Sequence, residues 1–188
     1  MSFLLQLPQS YNGISMLIDD ILGELADILQ RIDLEKVHEF IDGIINSKRV
    51  FVAGIGRSGL VAQAFAMRLM HLGFQIYVTG DATTPAISGG DILIAISGSG
   101  ETKSIYHIAE SAKKFGASIF LITSKGTSSI AKNSDQVLVL PESSIKILPL
   151  KSAFELAASI LLDALIIITM QRTGATEQEM MQRHSNLE

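Results

Sequence analysis

The sequence predicts an α/β fold: a single three-layer domain with a five-stranded parallel sheet, N-terminal helices, and a C-terminal helix and tail. Three observations carry this. Five short apolar runs each close on glycine, serine or proline, segments of helical period lie between them, and the chain has 188 residues. That length suits one well-buried domain and is too short for two ordinary ones.

From Ile14 to Ile32, Ile14, Leu17, Ile18, Ile21, Leu22, Leu25 and Leu29 recur at three- and four-residue spacing, the mark of an amphipathic helix. Asp33 is placed to cap a second helix over 34–46. The pattern then changes to RVFVAG, a helical stretch from Ser58 to Leu72, and FQIYVTG, which together form a βαβ unit. DILIAIS, a helix over 102–115, ASIFLITS, a short helix near 128–132, and QVLVLP extend the sheet to five parallel strands. An apolar helix over 152–171 closes the core. Thr-Glu-Gln-Glu from Thr176 reads as a capping box, and the final RHSNLE reads as unpacked on its own. The divisions are therefore 1–47 for the helical N-terminus, 48–172 for the α/β core and 173–188 for the tail, all within one domain spanning 1–188.

Composition narrows the chemistry. Hydrophobic residues make up 47% and charged residues 18%, a globular balance. There is no cysteine, so a disulfide framework, a thiolate nucleophile and a Cys-based zinc site are all excluded. His38, His71 and His107 sit within helical segments as surface or packing residues, and no metal-ligand spacing is present. A formal net charge of −4 provides no basic footprint for nucleic acid. Residues 1–9 have no basic leader or cleavage site, and Ile160–Met170 is shorter than a bilayer span and contains Asp163. The expected setting is cytoplasmic, with no membrane, nucleic acid, metal or cofactor.

Two strand–loop–helix corners point to an anion. Gly54-Ile55-Gly56-Arg57-Ser58-Gly59 matches the glycine fingerprint of dinucleotide sites, with Asp81 near the expected distance. No second domain remains to hold a hydride acceptor, so the match is weak evidence for a nucleotide. The second corner, Ser97-Gly98-Ser99-Gly100-Glu101-Thr102, brings hydroxyls and free amides to a helix N-terminus, which suits a phosphomonoester. Either corner alone reads equally well as helix capping and tight turning. Two of them after adjacent strands, at the carboxyl edge of one sheet, favour a ligand.

GIGRSG, SGSGET and the ending RHSNLE together resemble the sugar isomerase (SIS) domain family, and within it the 6-phospho-3-hexuloisomerases. The resemblance spans nearly the whole chain, including TTPAISGGD over 83–91 and the pair Phe154–Glu155. It implies a flavodoxin-like SIS fold, a phosphorylated sugar as ligand, a homotetramer, and interconversion of D-arabino-hex-3-ulose 6-phosphate with fructose 6-phosphate, as in formaldehyde fixation. Two departures stand out. Lys151 occupies a position where the family often has glycine, and Asp81 one where glutamate is common.

The isomerisation needs one base and no cofactor, because the C2 proton leaves and a proton returns at C3 through a cis-enediol(ate). Glu155 opens an otherwise apolar helix, a position that fits either a base in an apolar setting or a carboxylate complementing the helix dipole. The resemblance favours the base. It also makes His184, otherwise a lone tail histidine, a proton carrier between O2 and O3, delivered to a neighbouring subunit's cleft because the tail has little apolar surface of its own. The expected binding residues are Gly56, Arg57, Ser58, Ser97, Ser99, Gly100, Thr102 and Lys151. Arg57 would hold phosphate or a sugar hydroxyl. Lys151 would steady the enediolate or pair with Glu155. The rival readings are a non-catalytic sugar-phosphate sensor, an SIS isomerase for arabinose 5-phosphate or sedoheptulose 7-phosphate, and a nicotinamide-dependent oxidoreductase.

Overall fold

The structure is a computed structural model that describes residues 11–187, so the leader reading of residues 1–9 lies outside it. Two helices open the chain, α1 (Tyr11–Leu29) and α2 (Leu34–Asn46). Asp33 caps α2 as expected, accepting from the amides of Glu35 and Lys36. Then come β1 (Val50–Ala53), α3 (Arg57–His71), β2 (Ile76–Val78), β3 (Ile92–Ile96), α4 (Lys103–Lys114), β4 (Ser118–Thr123), β5 (Gln136–Val139), α5 (Ser152–Thr173) and α6 (Glu177–Gln182).

All strand pairs are parallel, in the order β2-β1-β3-β4-β5. The chain leaves β1 for one side of the sheet and reaches β3 on the other. Beyond the carboxyl ends of β1 and β3 is therefore the crevice where doubly wound sheets receive ligands.

The two faces of the sheet bury different partners because successive side chains point opposite ways. Val50, Val52, Ile94, Ile96, Phe120 and Ile122 face a core built with α1, α2, α3 and α5. Phe51, Leu93, Ala95, Ile119 and Leu121 face α4 and Ile130. α5 is apolar enough, with 149–173, to cross a membrane by length and composition. Here it is a core helix: Phe154, Ala157, Ala158, Leu161, Leu162, Leu165 and Ile166 are buried against α1, α2 and α3.

At the amino end of the sheet, Arg49 grips Asp91 with two bonds, Nε to Oδ1 at 3.0 Å and Nη2 to Oδ2 at 2.6 Å. The amide and hydroxyl of Ser88 also donate to Asp91 Oδ2. The Asp91 side chain is fully buried. Burial works to raise its pKa, but Arg49 and Ser88 together outweigh it and hold the carboxyl below its usual value.

Two expectations are corrected. The short helix near 128–132 is instead a single 3₁₀ turn, Ala131–Asn133, because the Ser128 hydroxyl accepts from the Ala131 amide and tightens the chain. The tail is not wholly unpacked. The predicted capping box of Thr176 and Glu179 forms, Met180 is buried, Arg183 Nη1 donates to the carbonyl of His71, and the His184 ring stacks on His71 with centroids 5.1 Å apart.

Candidate active site

The carboxyl edge of the sheet opens into a cleft of about 500 Å³, within the range of small-molecule sites. Three of its walls carry the residues expected from the sequence. Ser58 follows β1, Ser99 and Thr102 follow β3, and the third wall is the 140–155 segment carrying Lys151 and Glu155.

At the first corner, Gly54 and Gly59 let the end of β1 meet the start of α3. A Cβ on Gly54 would lie 2.6 Å from the Ser58 carbonyl oxygen and 2.9 Å from the Gly59 amide. This closeness turns Arg57 and Ser58 toward α5. Arg57 Nε donates to Glu155 Oε2 at 3.3 Å, and the Ser58 hydroxyl donates to Glu155 Oε1 at 3.3 Å. Arg57 Nη2 also donates to the Leu150 carbonyl at 2.8 Å. Arg57, expected on phosphate or a sugar hydroxyl, thus holds the carboxylate of Glu155. Glu155 sits in a polar setting rather than an apolar one, with its side chain 16% exposed.

At the second corner the Ser97 and Thr102 hydroxyls lie 3.1 Å apart, and Ser99 Oγ accepts from the Glu101 amide. Thr102 is the N-cap of α4, yet its hydroxyl makes no capping bond and pairs with Ser97 instead, while the residue lines the cleft. Gly100 is required here. Its φ is +64°, and a Cβ would collide with the Ser128 hydroxyl beneath it. Gly98 packs on the ring of Phe154, with 3.0 Å between a notional Cβ and the ring, so the hydroxyl-rich loop is seated directly on the residue before Glu155.

Gly56, Ser97 and Gly100 belong to the two corners without lining the cleft, while Ser58, Ser99, Thr102, Lys151 and Glu155 line it. Lys151 does not pair with Glu155. Its ammonium pairs with Glu142 Oε1 at 2.8 Å, and both side chains are well exposed. Leu150 and Lys151 have φ of 54° and 60°, two successive non-glycine residues in the left-handed region. That is the physical sense of a glycine at position 151, since glycine adopts this turn at least cost. Asp81 is not among the residues lining the cleft.

His184 is also absent from that lining. It is stacked on His71, thirteen residues along α3 from Ser58, or roughly 20 Å at 1.5 Å per residue.

The cleft contains residues the sequence reading missed: Ser124, Glu142, Ser143, Lys146 and Glu24. Ser124 follows β4 as Ser97 follows β3, and its hydroxyl bonds the Gly98 carbonyl at 2.7 Å. The repeated strand-then-serine ending of AIS and ITS was the available signal. Glu24 falls on the inward stripe of α1 with Ile21, Leu25 and Ile28, so a carboxylate at a core position was its signal. Among the described residues no cluster of three metal-ligating side chains occurs.

The SIS domain profile matches residues 43–168. The 3-hexulose-6-phosphate isomerase of Bacillus subtilis (strain 168) is 39% identical over 179 residues, covering 91% of this chain and 97% of the relative. That of Mycobacterium gastri is 40% identical over 184 residues, covering 94% and 90%. A crystal structure from Methanococcus jannaschii, from which a molecular function of 3-hexulose-6-phosphate isomerase was inferred, superposes with a TM-score of 0.81 at 37% identity. It covers 94% of this chain and 99% of that one. With the two corners, the cleft between them and a profile match over most of its length, the chain belongs to the SIS domain family.

Proposed function

We propose that the chain is a sugar-phosphate isomerase that converts D-arabino-hex-3-ulose 6-phosphate to fructose 6-phosphate, the activity by which its relatives in Bacillus subtilis and Mycobacterium gastri are named. One observation carries the reading: a carboxylate held by Arg57 and Ser58 opens into the same cleft as the hydroxyls of Ser99 and Thr102.

The phosphate sits at the N-terminus of α4, where Ser99, Thr102 and the loop amides donate to its oxygens, with Ser97 and Gly100 holding the loop. Ser124 and Lys146 add a hydroxyl and a cation to the cleft. Glu155 removes the C2 proton of the open-chain 3-ulose. The electron pair forms the C2–C3 double bond of the enediolate, and O3 gains a proton as its carbonyl is reduced. Loss of the O2 proton and return of a proton to C3 then give the 2-ulose, with no external oxidant or reductant. A 3-ulose 6-phosphate cannot close a five-membered ring through its phosphorylated O6, so no ring opening precedes the step.

His184 moves the proton between O2 and O3 in a neighbouring subunit's cleft, since its own cleft is far away along α3. Supporting an assembly, Leu60 and Met67 of α3 and Leu156, Ile160 and Ile167 of α5 are exposed apolar residues on neighbouring helices, and Ile14, Ile18 and Leu22 are exposed on α1. The assembly is a homotetramer with shared sites, working in the cytoplasm in a formaldehyde-fixing or pentose-phosphate-supplying route.

The test is direct. Purified protein supplied with hex-3-ulose 6-phosphate should yield fructose 6-phosphate without added metal or nucleotide, read by a coupled fructose 6-phosphate assay. A folded protein that binds the sugar phosphate without turnover would be a sensor instead.

A further inference from the structure

The wall of the cleft that carries Glu155 is tied to the first helix of the chain. Glu24 is 4% exposed. Its Oε2 accepts from two successive backbone amides, those of Ile147 at 2.9 Å and Leu148 at 2.8 Å. One turn on, Asp27 Oδ2 accepts from the Ser143 hydroxyl at 2.6 Å and the Ser144 amide at 3.2 Å. Arg31 bonds the Asp27 side chain and the Glu142 carbonyl. Glu24 and Asp27 lie one turn apart on α1 and Arg31 follows in the turn beyond its end, so α1 and its exit grip the strap over 142–148.

The residues just beyond the strap give the grip a purpose. Directly after Leu148 and Pro149 come the left-handed residues Leu150 and Lys151, and then Glu155 in the first turn of α5. Non-glycine residues hold such a conformation only where the surroundings over-determine it. Leu150 itself is exposed, so its side chain supplies no anchor. Its carbonyl receives Arg57, which in turn holds Glu155. The contacts run from Glu24 to the 147–148 amides, through the left-handed turn, to Arg57 and the carboxylate.

We infer that Glu24 is a positioning residue for Glu155: by fixing the amides of Ile147 and Leu148 it imposes the turn at 150–151 that sets where Arg57 holds the base. This deepens the isomerase reading and rests on it. Asp27 and Arg31 steady the outer half of the same strap. A buried carboxylate suits the task because one oxygen can accept from two adjacent amides, which a hydroxyl reaches less readily.

The experiment uses Glu24→Ala and Glu24→Gln in the full chain. Gln keeps a carbonyl oxygen for the two amides and loses the charge. Glu24→Ala should lower kcat at least tenfold while the inhibition constant of inorganic phosphate stays within about threefold, because Ser99, Thr102 and the loop amides after β3 lie outside the strap and only Lys146 belongs to it. Glu24→Gln should restore kcat to within about threefold of the unsubstituted enzyme. Limited trypsin digestion after Lys146 should be at least tenfold faster in Glu24→Ala and near normal in Glu24→Gln. This second readout needs no substrate, so it still judges the strap if the unsubstituted enzyme fails to turn over hexulose phosphate. If Glu24→Ala does not fold, Asp27→Ala should show faster nicking after Lys146 with a smaller loss of kcat. Wild-type nicking and kcat in a folded alanine variant would overturn the inference. Equal losses in Glu24→Ala and Glu24→Gln would also overturn it, and would place the charge itself on the substrate.

Discussion

The two ends of the sheet are built from similar residue types and spend them in opposite ways. At the amino end Asp91 is sealed between Arg49 and Ser88, every contact directed inward. At the carboxyl end Glu155 meets Arg57 and Ser58 but opens into a cleft with Ser99 and Thr102. Each end has a carboxylate, an arginine and a serine. Only the second leaves part of its hydrogen-bonding capacity to a ligand. An ion pair therefore says little about function until it is known what else its members face.

This contrast between the ends predicts a separation of stability from activity. The largest effect belongs to the amino end. Asp91→Ala strands Arg49 beside an emptied site and should lower the melting temperature by roughly 10 °C, while kcat of the folded fraction is unchanged. A large loss of kcat in calorimetrically intact protein would break the contrast. Next is Glu155→Gln, which keeps the shape but cannot take the C2 proton. Turnover should fall at least about a hundredfold with little change in melting temperature, measured together with solvent-hydrogen exchange at C2 of the 3-ulose. If exchange continued at the normal rate, Glu155 would not be the base.

Thr102→Ala should raise KM about tenfold, roughly 1.5 kcal/mol for a lost hydroxyl–phosphate bond, with kcat nearly intact. A kcat loss without a KM change would move Thr102 from the cradle to the chemistry. The pH response sharpens the contrast further. Asp91 has a folded pKa depressed below its reference of 3.8, so its contribution is fully present above that value and is lost as pH falls through the lower folded value. Urea midpoints should therefore drop as pH falls below about 4, and Asp91→Asn should flatten that part of the slope. The smallest effect is Leu150→Gly. It relieves a left-handed side chain but frees the unfolded chain, and should raise unfolding free energy by about 0.5 kcal/mol in denaturant titration.

Most of the fold was legible because it depends on local pattern. Glycine- and serine-ended strands, the Asp33 cap and the Thr176 capping box each announce themselves within a few residues, and each is found in place. The residues of both corners were legible for the same reason. What the linear pattern could not supply was who faces whom across the fold. Arg57 and Glu155 are 98 residues apart, and nothing local assigns Arg57 to the carboxylate or Lys151 to Glu142. Glu24 was hidden in a stripe read for its apolar members, although its hydrogen bonds reach 123 and 124 residues along the chain. The docking of Arg183 and His184 on α3 uses a backbone carbonyl and a ring face, neither of which shows in hydropathy.

α5 has a consequence for how the molecule is made. It is the central plug of one face of the sheet, and it leaves the ribosome after every strand and after α1 to α4. Until it arrives, Val52, Ile94, Ile96 and Ile122 have lost water on one side of the sheet only in part, and α1, α2 and α3 surround an unfilled groove. A parallel sheet also forms slowly, because its neighbouring strands are joined through long crossovers. The nascent chain therefore spends its synthesis with a sticky trough exposed, the state in which chaperones bind and partial chains aggregate. A chain cut short before residue 152 lacks the plug, and that face of its sheet cannot close.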